Sequence, residues 1–236
     1  MNIAIIPARG GSKRIPKKNI KNFCGYPILK IVIENAKSTN CFNKIIVSTD
    51  DEEIKKISLN AGAEVPFIRD KKLSTDLTPT VDVISDTILK LNQKGEKIEN
   101  VCCLYPTSVF TDRDLILKGL NLLIEKKPSY VISVCSFSHP IQRALRLQKS
   151  GKIKLINKEL ANTRTQDLEE TYFDAGQFYW GKYKTWLEKK SLLGSEILPV
   201  ILKPQSFQDI DTPEQWIIAE NIYKSIKGRI QKDVRN

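Results

Sequence analysis

Short apolar runs alternate with longer stretches whose apolar residues recur at helical spacing, and this alternation narrows the possible folds more than any other feature. NIAII (2–6), KIIVS (44–48), NVCCLYP (100–106) and SYVISVCSF (129–137) are continuous apolar runs rich in β-branched residues. Runs of this kind are strands buried on both faces. Between them, 27–39 begins at Pro27 and places Ile28, Leu29, Val32 and Ile33 on one side of a helix. A second helix carries Ile54, Ile57 and Leu59 and runs to Gly62, a residue suited to a helix C-terminus. A third covers 80–94, and a fourth starts at Thr111-Asp112 and runs to Lys127. EVPFI (64–68) reads as a further short strand. Strand and helix in alternation predict an α/β fold, with a mainly parallel sheet flanked by helices.

The pattern changes after residue 138. Residues 144–156 alternate and turn at Ser150-Gly151, as a hairpin does. Residues 157–171 are polar, YFDAGQFYWG (172–181) is an aromatic strand, 197–202 a last apolar strand, and 212–226 a helix opened by Thr212-Pro213-Glu214. A length of 236 residues suits a single domain, 1–236, with an arm inserted at about 138–175.

The net charge of +11 favours anionic partners such as nucleotides, acidic sugars, nucleic acid or a membrane surface, without choosing among them. No apolar run approaches the roughly 18 residues that span a bilayer, and Arg9 with the glycines after it interrupts the first apolar run, so neither a signal peptide nor a membrane role is expected. The five cysteines are odd in number and none forms a CxxC pair. They read as reduced thiols of a cytoplasmic protein.

Three segments carry candidate chemistry. PARGGSKRIPKKN leaves the first strand at its carboxyl end, where open α/β sheets bind ligands. Gly10 and Gly11 permit close backbone approach and positive φ, and Arg9, Lys13 and Lys18 are placed to neutralise a triphosphate. The spacing matches neither GxxxxGK[ST] nor GxGxxG, and a solvated basic turn is the competing reading. In STDDEEI (48–54), Asp51, Glu52 and Glu53 suit a first helical turn, while Asp50 is open as a receptor for a ribose or pyrimidine group. In FQDIDTPEQW (207–216), Asp209 and Asp211 lie two apart, on one face if the segment is extended. Such a pair suits Mg2+, which takes few protein ligands, and Asp211 as the start of the next helix is the alternative. His139, the only histidine, has no triad partners in view. Arg143, Arg146 and Arg164 read either as binders of an acidic group or as a solvated face.

Taken in order, IIPARGGSKRIPKKNI, IIVSTDDEEI, LYPTSVF and QDIDTPEQW resemble the motifs of the acylneuraminate cytidylyltransferase family, which activates nine-carbon acidic sugars. SFSHPIQRALRL, RTQDLEETYFDAGQFYWG and FQDIDTPEQW look most like its pseudaminic acid branch. The resemblance implies a Rossmann-like nucleotidyltransferase fold, and a homodimer in which the inserted arm reaches over the partner's site. It implies CTP and an acidic nine-carbon sugar as substrates, Mg2+ as cofactor, and a product for surface glycan or flagellin glycosylation. By motif, Arg9, Lys13 and Lys18 would hold phosphates, with Asn19 nearby. Ala8, Gly10, Gly11 and Ser12 would shape the nucleotide pocket, Asp50 would lie near the cytidine, and Asp209 and Asp211 would bind Mg2+. Tyr105, Thr107, Gln142, Arg143, Arg164 and Gln177 would face the sugar. Tyr105 stands where the sialic acid enzymes carry Gln, which argues against sialic acid. Legionaminic acid, N-acylneuraminic acid and 3-deoxy-octulosonate are the alternative sugars. A nucleic-acid-binding module is disfavoured by the absence of RRM, KH and helix-turn-helix patterns. The acidic pair argues against a non-catalytic nucleotide sensor.

Overall fold

The computed structural model describes residues 1–194, 196–204 and 207–233, with side chains of the last helix described through residue 226. The first strand, β1 (Asn2–Pro7), lies between β4 (Lys44–Ser48) and β5 (Asn100–Leu104) and is parallel to both. At the other end of the sheet β6 (Tyr130–Ser136) runs parallel to β10 (Ile197–Leu202). The two halves are joined by β9 (Tyr172–Lys182), antiparallel to β5 on one side and β6 on the other. The order is therefore β10-β6-β9-β5-β1-β4. The sheet is mostly parallel, and the aromatic run read from the sequence is its one antiparallel member.

Helices cover both faces, so β1 alternates between two cores. Ala4 and Ile6 pack with residues of α1 (Ile28–Ser38), α4 (Arg113–Lys126) and α6 (Pro213–Asp233). Ile3 and Ile5 pack with Ile84, Ile88 and Leu91 of α3 (Thr80–Gln93) and with Trp186 of the short α5 (Tyr183–Leu187). Two-sided burial explains the continuous apolar runs: each buried Ile or Val contributes about 1.5–3 kcal/mol, whichever face it points to.

The helix starts follow local chemistry. Asp51 caps α2 (Glu52–Asn60), accepting from the Glu53 and Ile54 amides at 2.8 and 2.9 Å. Asp112 caps α4 through Leu115 N at 3.0 Å. Gly62, at φ +85°, follows the end of α2 in the left-handed region that residues with a Cβ avoid. The start of α6 is made by Thr212 and Gln215: Thr212 Oγ1 accepts from Gln215 N, and Gln215 Oε1 accepts from Asp211 N and Thr212 N. The Asp211 side chain is thus not the helix cap.

Residues 64–68 do not form the expected strand. They make only two isolated parallel bridges to the edge strand, Ile46 to Glu64 and Thr49 to Ile68, so the chain brushes past β4 without building a ladder. Two minimal strands, β2 (Asn22–Phe23) and β3 (Tyr26–Pro27), make a tight hairpin around Gly25 before α1. The expected hairpin of the arm is present as β7 (Leu145–Leu147) and β8 (Ile153–Leu155), a separate two-stranded sheet. Among the described residues, no helix is long and apolar enough to cross a membrane.

Gly119 shows how closely α4 sits on the sheet. A Cβ there would meet Trp180 Cδ1 at 2.7 Å and Phe178 Cε2 at 3.0 Å. Trp180 cannot easily retreat, because its indole N–H donates to Ile116 O at 3.1 Å and Phe42 stacks on its ring at 5.3 Å. Gly119→Ala gains about 1 kcal/mol in helix propensity, whereas overpacking costs roughly 1–3 kcal/mol. With rigid rings as neighbours, overpacking wins. The urea midpoint of Gly119→Ala is expected below the wild-type value with the slope unchanged; a higher midpoint would refute the packing account.

Candidate active site

The loop after β1 is tied down at its first three residues. Ala8 N donates to Ser48 O at 2.9 Å, holding the loop to the end of β4. The next peptide is gripped at both poles: the buried Asn19 amide donates to Arg9 O at 2.9 Å, and Gly10 N donates to Asp50 Oδ1 at 3.0 Å. Ser12 N closes a turn onto Gly10 O at 3.0 Å. Neither Gly10 nor Gly11 uses the positive φ that a glycine permits. Gly10 is required for space: a Cβ would meet Asp51 Oδ2 at 2.7 Å and Asp51 Cβ at 3.0 Å, and Asp51 is fixed by its cap. A Cβ at Gly11 would meet no described atom within 4 Å.

The cations of this loop converge on two carboxylates far away in sequence. Arg9 Nη2 and Lys13 Nζ lie 2.5 and 2.6 Å from opposite oxygens of Asp76, in the loop before α3. Lys18 Nζ donates to Ile210 O at 2.9 Å and to Asp211 Oδ1 at 3.1 Å, and Arg14 reaches Asp211 Oδ2 at 2.9 Å. Hydrogen bonds from Lys13 and Arg9 hold the Asp76 carboxyl below its ordinary range. Burial alone would raise the Asp211 carboxyl, but Lys18 and Arg14 outweigh it, and the group is held low. Lys17 pairs with Glu53 at 2.5 Å, away from this centre.

These residues border two adjoining cavities at the carboxyl edge of the sheet. One, of about 280 Å3, is lined by Arg9, Ser12, Lys18, Asn19 and Arg69, together with Tyr105 and Thr107. The other, of about 360 Å3, shares Arg9, Ser12, Lys18 and Asp76 and adds Lys13, Arg14 and Asp211. Five cationic side chains (Arg9, Lys13, Arg14, Lys18 and Arg69) thus face two carboxylates, a surplus suited to a polyanion.

Arg69 was not singled out by sequence reasoning, since an arginine in RDKKL reads as solvated. It is 4% exposed, donates through Nε to Ser74 Oγ at 3.1 Å, and lies 3.7 Å from Asp50. Its Nη2 has no hydrogen-bond partner among the described residues. Burial lowers its pKa, against the pull of Asp50. A buried guanidinium with spare donors on a cavity wall is ready for an acceptor brought by a ligand. Asp50 is turned to Gly10 and Arg69 and sets the walls of the pocket. Asp76 was also missed, because a loop aspartate in STDLTP has no local pattern to mark it.

The residues assigned to the sugar by resemblance divide into two groups. Tyr105 and Thr107 line the cavity. The Tyr105 hydroxyl is 2.8 Å from Thr80 Oγ1, its ring lies 5.5 Å from that of Tyr179, and burial pushes the phenol up to about 12. Gln177 is buried in β9; its Nε2 donates to Ala175 O at 3.2 Å and its Oε1 has no partner among the described residues. Gln142 and Arg143 bond the arm's own carbonyls, at Glu169 (2.8 Å) and Thr163 (2.6 Å), while Arg164 is 78% exposed beside Asp167. These four stand outside the described linings of the two cavities.

Asp211 reaches the cationic cavity, whereas Asp209 is exposed and its Oδ1 accepts from Ile210 N at 2.8 Å. Among the described residues there is no cluster of three or more His, Cys, Asp or Glu suited to a metal. One or two hard carboxylates beside a polyanion site nevertheless fit Mg2+, which fills its shell with phosphate oxygens and water.

A mostly parallel α/β sheet with a cation-lined cleft at its carboxyl edge is built to receive a polyanionic ligand. A model of the family described as cytidylyltransferase matches residues 3–187, and the chain belongs to that family. It is 37% identical over 223 residues to a pseudaminic acid cytidylyltransferase of Campylobacter jejuni subsp. jejuni serotype O:2, covering 94% of this chain and 96% of the relative. It is 31% identical over 227 residues to the CMP-N,N'-diacetyllegionaminic acid synthase of Legionella pneumophila, covering 93% and 95%. The fold is also that of a CMP:2-keto-3-deoxy-manno-octonic acid synthetase solved with CTP, at a TM-score of 0.69 and 14% identity over 95% of this chain and 98% of that one.

Because the Asp211 carboxyl is held low in the fold, it stabilises the protein above the unfolded-state value of about 3.9. That contribution is lost as pH falls through the lower folded value. Asp211→Asn is expected to lower the urea midpoint at pH 7, with the gap to wild type narrower at pH 3 than at pH 7. A gap of equal size at both pH values would show that the ion pairs contribute nothing.

Proposed function

We propose that this protein transfers CMP from CTP to the anomeric hydroxyl of pseudaminic acid, giving CMP-pseudaminic acid and pyrophosphate, with Mg2+ as cofactor. The observation that carries the reading is the convergence of Arg9, Lys13 and Lys18 on one cleft, beside Asp211, in a chain 37% identical to a pseudaminic acid cytidylyltransferase. In this reading the sugar hydroxyl attacks the α-phosphorus in line, the bond to the β-phosphate oxygen breaks, and the hydroxyl proton passes to solvent. Phosphoryl transfer asks a protein mainly to position reactants and offset charge. Arg9, Lys13 and Lys18 would balance the negative charge on the departing pyrophosphate, and Arg69 would supply its spare donors to the nucleotide. Asp211, the member of the acidic pair that lines the cleft, would hold the metal, with Asp209 joining it only by turning inward; when bound, the metal polarises the phosphate oxygens and lowers the proton affinity of the attacking group. Tyr105 and Thr107 would meet the sugar.

The arm supports a homodimer. Leu145, Leu147 and Ile153 are 57%, 72% and 66% exposed, more than a free hairpin should show to water. Gln142, Arg143 and Arg164 lie on the same arm, outside their own chain's cavities, so contact with the sugar would come across the dimer. A reaction that consumes CTP, a nucleotide of the cell interior, supports a cytoplasmic location.

The test is pyrophosphate release with CTP, Mg2+ and pseudaminic acid, run beside legionaminic acid, N-acylneuraminic acid and 3-deoxy-octulosonate. Turnover is expected to be fastest with pseudaminic acid and abolished by chelation of the metal; preference for another acid moves the assignment to that sugar. Lys13→Ala is expected to lose about 10²–10³ in rate, the scale for one transition-state charge contact, while melting as the wild type does. Near-normal turnover in that variant would remove Lys13 from the phosphate site. Sedimentation should show a dimer, and Leu147→Asp with Ile153→Asp should shift it to monomer.

A further inference from the structure

Asp76 is unlike the other carboxylates near the cleft. It borders both cavities, and its two oxygens are divided between Arg9 and Lys13, two of the cations assigned to the phosphates. The paired side chains stay partly open to water: 30% for Arg9, 80% for Lys13 and 40% for Asp76. The carboxylate is therefore not buried structure, and a solvent-borne anion can reach the same cations. Asp76 sits in a turn closed by Thr78 N on Thr75 O at 3.4 Å, with the Thr75 and Thr78 hydroxyls 2.8 Å apart and Arg69 Nε bonded to Ser74. Leu77, the next residue, is 92% exposed at the rim.

We propose that Asp76 is a positioning residue: in the free protein its carboxylate stands in for phosphate oxygens, keeps Arg9 and Lys13 convergent, and yields them to the polyphosphate. The proposal deepens the nucleotide-transfer reading and rests on its assignment of Arg9 and Lys13. Arg9 and Lys13 keep donors beyond those given to Asp76, but a carboxylate and a polyphosphate brought to the same two cations repel each other. Binding a polyphosphate therefore breaks the Asp76 pairs, and departure of pyrophosphate restores them. The exchange weakens the hold on the product and so favours its release. Deleting the carboxylate loosens Lys13, whose side chain is 80% exposed, but also removes the negative charge that competes for both cations, and the second effect is expected to dominate pyrophosphate binding. Asp211 does not play this part in the same way, because Lys18 is also held by the Ile210 carbonyl.

The experiment measures binding of inorganic pyrophosphate by calorimetry, in EDTA and at fixed ionic strength, to the full chain and to Asp76→Asn. Asp76→Asn is expected to bind pyrophosphate about fivefold more tightly or better, within the range of site-to-site couplings. Asp76→Glu, which keeps the charge, is expected to return the affinity toward wild type. In steady-state assays Asp76→Asn should show a matching fall in the pyrophosphate inhibition constant. Equal or weaker binding by Asp76→Asn, or no binding by either protein, overturns the proposal; a residue that merely shaped the loop would give weaker binding. The calorimetry uses neither sugar nor turnover. Failure of every acidic sugar to react would sink the transfer reading, while tighter pyrophosphate binding by Asp76→Asn would leave this inference standing.

Discussion

Strand β9 makes backbone hydrogen bonds to β5 along one edge and to β6 along the other, and the site depends on that double pairing. Without it, the three strands β4, β1 and β5 would leave an open edge beside Tyr105. Pairing Leu104 with Phe178 and Ser136 with Tyr172 places the start of β9 at the carboxyl edge of the parallel strands. The same pairing sinks Phe178 and Trp180 into one core and Tyr179 into the other. Because β9 enters from the substrate edge, the arm that precedes it must loop out there, next to the cleft. Had β9 been parallel, the arm would have had to cross and end at the opposite edge.

Electrostatics in the cleft rest on long-range closure. Arg9, Lys13, Arg14 and Lys18 crowd one loop, and such a group of like charges repels itself. Asp76 and Asp211 arrive from before α3 and before α6 to balance it, each taking two cations. The backbone beneath is fixed by separate bonds from Asn19 and to Asp50, so the side chains can exchange partners while the loop keeps its path. A rigid backbone with exchangeable ion pairs suits a site that must admit a polyanion and let another leave.

The α/β class, the boundaries of the main strands and helices, and the loop after β1 were legible in the amino-acid order because each depends on neighbours in sequence. Apolar runs buried on two faces, a Pro at a helix start and aspartate caps all announce themselves locally. Residues 64–68 misled, since five residues with the composition of a strand met the sheet only at two bridges. The glycines of the loop were legible as special, and of the two freedoms they permit Gly10 uses close approach, to the fixed Asp51 beside it, and not positive φ.

What the sequence by itself determined is the fold class, the cationic loop at the end of the first strand, and the late acidic pair, each written in contiguous residues. Only the tertiary structure decided that β9 runs antiparallel between β5 and β6. It alone brought Asp76 to Arg9 and Lys13, buried Arg69 with a spare donor, and turned Asp211 inward while leaving Asp209 outside. These outcomes depend on which distant segments meet when two cores close on one sheet. Periodicity reports which face of an element is apolar, and carries no information about which loop will face it across a cleft.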